Sequence, residues 1–311
     1  MKMFVVFEKE FKDMLRSKRL ILIMATFVLS YVISIGSFVV MFSEQGAPMP
    51  PNIINLVLGS LVGYLSLIAS IIGIALGFDA ISGEHEKGTL RIVLSQPIFR
   101  DEFIVGKFLA ALAVISFALV VATSLSLSSA VIMLGLTLKY EDVARVMLMV
   151  LFSIFLALAY YALSVLLSTV FKKSSTSALV SISLLIIFFV ILPVLSTVIA
   201  RAIAGPPPRI KFRPGMSKGE IAKIKEYQAK VNSIRESVLA FSLNHHFNLL
   251  AGSLVRYGSR SIGTTTGSTI PIDRVIVEVL SRNLNSLVIL LIVIVVPLII
   301  SFILFTRSEL K

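Results

Sequence analysis

The sequence predicts an all-α polytopic membrane protein. It would have six transmembrane helices, an amphipathic N-terminal helix in the interface, a short helical loop between spans 2 and 3 on the cytoplasmic side, and a helical external domain between spans 5 and 6. Three observations predict it. Of the 311 residues, 57% are hydrophobic and 15% charged, with a mean hydropathy of +0.96, whereas about a quarter of the residues of a soluble domain are charged. The apolar residues fall in six runs, each close to the ~20 residues that a bilayer-crossing helix requires. Charges collect between these runs, and no run carries an Asp, Glu, Lys, Arg or His near its centre.

Residues 1–19 alternate charges with Phe4, Phe7, Phe11, Met14 and Leu15. Spacing by three and four puts these on one helical face, with Lys9, Lys12, Asp13 and Arg16 elsewhere, so the segment reads as a helix lying in the membrane interface. The first span, 20–42, is too long for a signal h-region and lacks a clear cleavage site, so it is read as retained. A loop over 43–52 with Pro48, Pro50 and Pro51 leads to the second span, 53–78, whose Gly59/Gly63 and Gly73/Gly77 pairs permit close helix approach. The third span lies within 103–136. Its hydroxyls, Ser116, Thr123, Ser124, Ser126, Ser128 and Ser129, read as helix–helix hydrogen-bonding groups or as the lining of a pathway, with the first reading favoured. The fourth span covers 143–171 and the fifth 177–200, with Pro193 marking a kink near its outer end.

Residues 201–283 differ in composition. A Gly205-Pro206-Pro207-Pro208 exit precedes a capping box of Ser217 and Glu220 and an amphipathic helix through Phe241. A Gly/Thr-rich loop over 258–269 and a short helix over about 273–281 complete the segment. The last span, 284–305, contains Pro297. The chain therefore divides into a membrane domain over 1–200, an external domain over 201–283, and the last span with its tail over 284–311. His245 and His246 lie in the external part with no third ligand at metal-binding spacing, and read as packing or surface residues.

Orientation follows from short-loop charge. With the N-terminus inside, six basic residues precede span 1, four lie between spans 2 and 3, two follow span 4 and two close the chain, 14 in all; the short outer loops hold only Lys139. The 13 basic residues of 201–283 do not count against this, because long loops translocate largely regardless of charge. Both termini are thus expected in the cytoplasm of a cell-membrane protein, with 201–283 external.

Several function classes are disfavoured. The net charge of +12 sits at span ends and in the long loop, where anionic lipid headgroups account for it, and no nucleic-acid-binding motif is present. Without cysteines there is no disulfide, thiolate metal site or cysteine nucleophile. A secondary carrier keeps ionisable residues inside its spans, and an intramembrane hydrolase needs a base beside its nucleophile. His85-Glu86 is not an HExxH motif, since Thr89 stands at the second His position, and there is no GxxxxGK[ST] to cradle a phosphate.

The remaining feature is the loop over 79–102. Gly88 suits a helix C-cap for a short helix from Ile81, and Thr89 a cap for a second one through Leu94, ended before Pro97. Glu84 and Glu86 are expected at its lowest point, within reach of a soluble partner. The run Asp79-Ala80-Ile81-Ser82-Gly83-Glu84-His85-Glu86-Lys87-Gly88-Thr89-Leu90, with Leu94-Ser95-Gln96-Pro97 and Gly106-Lys107, resembles the signature of ABC-2 type transporter permeases, roughly D-x-I-x-x-E-x-E-x-G-T-L, then L-x-x-P and G-K. His85 stands where that family often has Arg. Glu8 to Arg19 is similar to the family's N-terminal elbow helix, and six spans with a long segment between spans 5 and 6 fit the branch of the nitrous oxide reductase maturation permease.

The resemblance implies a permease of the exporting kind that is not itself an enzyme. Two copies would pair as a homodimer and engage two copies of a separate ABC ATPase, which would bind ATP and Mg; this chain would bind no cofactor. The 79–102 loop would be the coupling helix, with Ile81, Ser82, Gly83, Glu84, His85, Glu86, Gly88, Thr89 and Leu90 at the ATPase contact, and its motion would drive spans 1, 2 and 5. The alternative is a non-transporting membrane scaffold or receptor with an external sensor domain.

Overall fold

The computed structural model describes residues 2–44, 53–88, 100–208, 217–260 and 272–308. Among them there is no strand, and six helices are long and apolar enough to cross a membrane. In chain order the helices are α1 (Lys2–Leu15), α2 (Lys18–Glu44), α3 (Ile53–Gly77), α4 (Ser82–Glu86), α5 (Arg100–Leu134), α6 (Tyr140–Val170) and α7 (Ser174–Ile186). A π-helical turn (Ile187–Ile191) follows, then α8 (Leu192–Ala204), α9 (Lys218–Leu239), α10 (Leu243–Arg260) and α11 (Ile272–Ser308). The spans are α2, α3, α5, α6, the run from α7 through α8, and α11. The chain forms two compact units, 1–182 with 246–311, and 183–245.

In the larger unit α3 and α6 are the central pair, each with 67% of its most apolar window buried, against 22% for α2 and α11. Their sequences allow this because they are apolar nearly all round, which suits a helix with no water-facing side. The contact is close because of two glycines. A Cβ at Gly73 would meet the Ala157 carbonyl oxygen and lie 2.9 Å from Tyr160 Cβ; one at Gly77 would lie 2.8 Å from Ser164 Cβ and from the Tyr161 carbonyl oxygen. Of the two glycine pairs in this span, only Gly73/Gly77 has this use: a Cβ at Gly63 meets nothing within 4 Å. α2 attaches to α3 through Tyr31, whose hydroxyl donates to the Val57 carbonyl (3.3 Å) and whose ring meets Tyr64 edge-on at 5.3 Å.

The hydroxyls of the third span, on α5, differ from the favoured reading. Ser116 donates to the Leu112 carbonyl and Ser129 to the Ser126 carbonyl, bonds within one helix, while the buried Thr123 and Ser126 hydroxyls have no partner among the described residues. α10 was not expected as a helix. It buries Phe247, Leu250, Ala251 and Leu254 along one face. Its His246 is buried, with Nδ1 3.1 Å from Ser286 Oγ of α11, and no metal-holding cluster occurs among the described residues. The helix expected over 273–281 and the last span join as α11 across a kink at Asn283, which leaves helical geometry (φ −119°, ψ 21°) while its Nδ2 donates to the Val279 carbonyl.

The smaller unit is built on α8 and α9. Pro193 cannot donate a backbone hydrogen bond to Phe189, and the chain loosens into the π turn just before it. Tyr227 donates to the Gly205 carbonyl (2.9 Å) and Ser242 to the Phe188 carbonyl (2.9 Å), which ties α9 back along α8. The capping box forms: Glu220 N–H donates to Ser217 Oγ and Ser217 N–H to Glu220 Oε2. The Ser217 N–H holds the Glu220 carboxyl below its ordinary pKa, so the carboxylate half of the box is fully present at neutral pH and weakens only as pH falls through that lowered value, while the Ser217 Oγ half does not titrate.

Gly73→Ala gains about 1 kcal/mol of helix propensity, yet overpacking of the α3–α6 contact costs about 1–3 kcal/mol, so the clash wins. Thermal unfolding of the purified protein should therefore shift down for Gly73→Ala and stay level or rise for Gly63→Ala; equal behaviour of the two would show that the close approach is not a determinant of stability.

Candidate functional site

The loop over 79–88 gathers the polar side chains that the spans exclude. α3 ends at Gly77 and the chain turns through Phe78–Ile81 into α4. At this turn Asp79 accepts from Arg19 at the start of α2 (2.6 Å), and the same guanidinium lies 5.0 Å from the Phe78 ring centroid. The first N–H groups of α4 have no partner within the helix, and Ile81 at its N-cap cannot supply one. Ser168, near the end of α6, does so: its Oγ accepts from Ile81 N (3.0 Å) and Ser82 N (2.9 Å). Ser82 is itself buried, with its hydroxyl 3.0 Å from Ser168 Oγ.

The far end of α4 is held by α7. Glu86 Oε1 accepts from the backbone N–H of Ser174, the first residue of α7 (3.0 Å), where a carboxylate meets both an unpaired donor and the positive end of the helix dipole. Gly83 packs closely against the turn, since a Cβ there would lie a tight 3.3 Å from Asp79 Cβ. Gly88 has φ +68°, the left-handed conformation that ends a helix cheaply only when the residue is glycine.

Beneath α4 lies a buried ion cluster. Lys107 of α5 and Glu10 of α1 are 6% and 8% exposed, with Lys107 Nζ 2.8 Å from Glu10 Oε1 and 3.7 Å from Glu84 Oε1. Lys9 completes it, 3.8 Å from Glu10 and 3.9 Å from Glu84. Two ammonium groups thus face two carboxylates, with Lys107 and Glu10 buried and Lys9 at the exposed edge. Gly106 makes the cluster possible: a Cβ there would lie 2.9 Å from Val6 Cγ1 and 3.2 Å from the Met3 carbonyl oxygen, so glycine lets α1 lie against α5 within reach of Lys107. α1 turns its other face outward, with Phe4 and Val5 exposed.

The residues singled out in the sequence therefore divide by direction. Ile81 and Ser82 are buried, and Glu84 and Glu86 turn their carboxylates back onto α1, α5 and α7. His85, Lys87 and Gly88 are exposed. Thr89 and Leu90 lie outside the described residues, as does the short helix expected through Leu94. Glu10, Ser168 and Ser174 were not anticipated as partners. Gly106-Lys107 carried a sequence signal, and the structure supplies its physical use.

Removing one member of a buried ion pair leaves an uncompensated charge and costs about 3–5 kcal/mol, whereas an apolar replacement of both is near neutral. Lys107→Met and Glu10→Met should each lower the thermal unfolding temperature of the purified protein, and the double variant should recover most of the loss. Additive losses in the double variant would show that the two side chains do not act as a pair.

The family described as "ABC-2 family transporter protein" matches residues 4–310. The chain is 32% identical over 180 residues to the "Probable ABC transporter permease protein NosY" of Pseudomonas aeruginosa, a match covering 54% of this chain and 60% of the relative. The shared segment thus spans less than two thirds of that protein's length. The match over nearly all of the chain, together with six membrane-crossing helices, shows that this protein belongs to the ABC-2 transporter family.

Proposed function

We propose that this chain is the permease subunit of an ABC-2 exporter, in which two copies pair and each engages one copy of a separate ATPase through the 79–102 loop. The single observation that carries the reading is the attachment of α4. A loop that merely joins two spans needs no fixed geometry, yet this one is tied to α1 and α5 by ions and to α6 and α7 by hydrogen bonds. A piece so held transmits force to several spans at once. In this reading Glu84 and Glu86 are positioning residues, and His85, Lys87 and Gly88, with Thr89 and Leu90 beyond them, meet the ATPase. Hydrolysis of ATP belongs to the partner; this chain converts the movement of its seat into rearrangement of the spans. The basic residues of the short loops support placing α4 and both termini in the cytoplasm and 201–283 outside.

The decisive experiment co-purifies the wild-type permease with its cognate ATPase and measures ATP hydrolysis in lipid. His85→Asp, at an exposed position, should weaken the complex at least about tenfold, the scale of a modest interface hot spot, with the unfolding temperature unchanged. Glu84→Ala with Glu86→Ala should lower ATPase stimulation and loosen the loop together. A wild type that binds no ABC ATPase rejects the reading and leaves a membrane scaffold or receptor.

Orientation is testable separately because the chain has no native cysteine. Lys87→Cys and Ser217→Cys, both at exposed positions, should react with an impermeant thiol reagent from opposite sides of sealed vesicles. Labelling from the same side rejects the topology.

A further inference from the structure

We propose that the groove between α2 and α5 holds an acyl chain of an anionic phospholipid, with its headgroup on Arg16 and Lys18. The groove has a volume of about 540 Å³ and is almost wholly apolar. Leu15 closes one end, Ile21, Met24, Leu29 and Val32 form one wall, and Phe117 stands on the other. From Leu20 to Val32 a helix rises ~18 Å, close to the ~15 Å depth of one leaflet of hydrocarbon. Its length thus fits one chain of one leaflet.

The polar end of the groove has a defined sign. The turn between α1 and α2 lies there, fixed by the Leu20 N–H donating to Ser17 Oγ (3.2 Å). α1 lies at headgroup depth, because its exposed Phe4 and Val5 require apolar surroundings while its charges require water. Of the three cations at the turn, Arg19 is engaged by Asp79. Arg16 and Lys18 are exposed and have no ion-pair partner among the described residues. An apolar slot one leaflet deep that ends in two unpaired cations is complementary to a phosphate-bearing lipid. A second copy of the chain fits worse: two-fold symmetry about the membrane normal would bring these cations against the same cations of the other copy, at the same depth.

The protein contains no tryptophan, so one introduced indole reports its own lipid neighbours. Leu29→Trp places it at an exposed position in the groove, and Ile292→Trp at an exposed position on α11. Each full-length variant is reconstituted in phosphatidylcholine vesicles carrying a minor share of acyl-brominated phosphatidylglycerol, and fluorescence quenching is compared with brominated phosphatidylcholine at the same share. Each contacted cation favours an anionic headgroup roughly fivefold, so local enrichment at Leu29→Trp should be at least about fivefold over Ile292→Trp. Arg16→Gln with Lys18→Gln should abolish it, and high salt should reduce it. Equal quenching at the two positions would show only unselective boundary lipid and overturn the proposal. Absence of quenching at Leu29→Trp by either brominated lipid would show that protein covers the groove, and would overturn it as well. The vesicles carry the same lipids in both leaflets and no ATPase is present, so neither outcome depends on the coupling or topology readings.

Discussion

The Lys107–Glu10 pair is the constraint on which the base beneath α4 depends. A lone ammonium or carboxylate buried at this depth carries a desolvation cost of several kcal/mol, so each is tolerated only with its counter-charge in place. That condition fixes α1 against α5 and brings Glu84 to Lys107. Gly106 is the steric half of the same device. Without the close approach it allows, Glu10 would stand farther from Lys107 and the cluster would lose its shortest contact. An amphipathic N-terminal helix that composition alone would describe as a surface anchor becomes a wedge with one determined position.

The neutral part of the base works by other means. Ser168 and Ser174 lie on helices whose remaining surface is largely apolar; Ser168 offers the loop its hydroxyl, and Ser174 its backbone N–H and its hydroxyl, which accepts from Ser82 Oγ (3.3 Å). The Ser168 bonds are buried, where an unmade one is costly, whereas the Glu86–Ser174 bond is exposed and water competes with it. The α3–α6 contact sets the height of this arrangement. Gly77, the last residue of α3, lies against Tyr161 and Ser164, about two turns and one turn before Ser168. The close packing of the central pair thus delivers the end of α3 to the hydroxyl that caps α4.

Hydropathy made the six spans legible, because hydrogen bonding in lipid admits little but helices and the runs have the length of a bilayer. The N-terminal helix α1 was legible from the spacing of Phe4, Phe7 and Phe11, and the α9 cap from Ser217 and Glu220. The loop near 79–88 was visible as a polar interruption with a family signature, but the direction of its carboxylates was not. Glu84 and Glu86 are both acidic residues in a short exposed-looking segment, and only the positions of Lys107 and Ser174, 23 and 88 residues later, decide where they point. α10 could have been found from Phe247, Leu250, Ala251 and Leu254, which have the spacing of one helical face; the Gly/Thr-rich stretch beyond it drew the reading toward a loop. The π turn before Pro193 follows from a rule that says a proline disturbs a helix and leaves open how.

The separation of the partners in the chain also has a consequence for biogenesis. Glu10 emerges from the ribosome 97 residues before Lys107, and Glu86 emerges 88 residues before Ser174. During synthesis the N-terminal helix must keep its carboxylate hydrated until the third span arrives. The loop helix gains its last attachment only when the fifth span begins to form. The base beneath α4 is therefore completed late, and a truncated or half-inserted chain would present a loosely held loop in its place. Assembly order is written into which residues find each other across the sequence, and the same bonds that set the geometry mark a chain as finished.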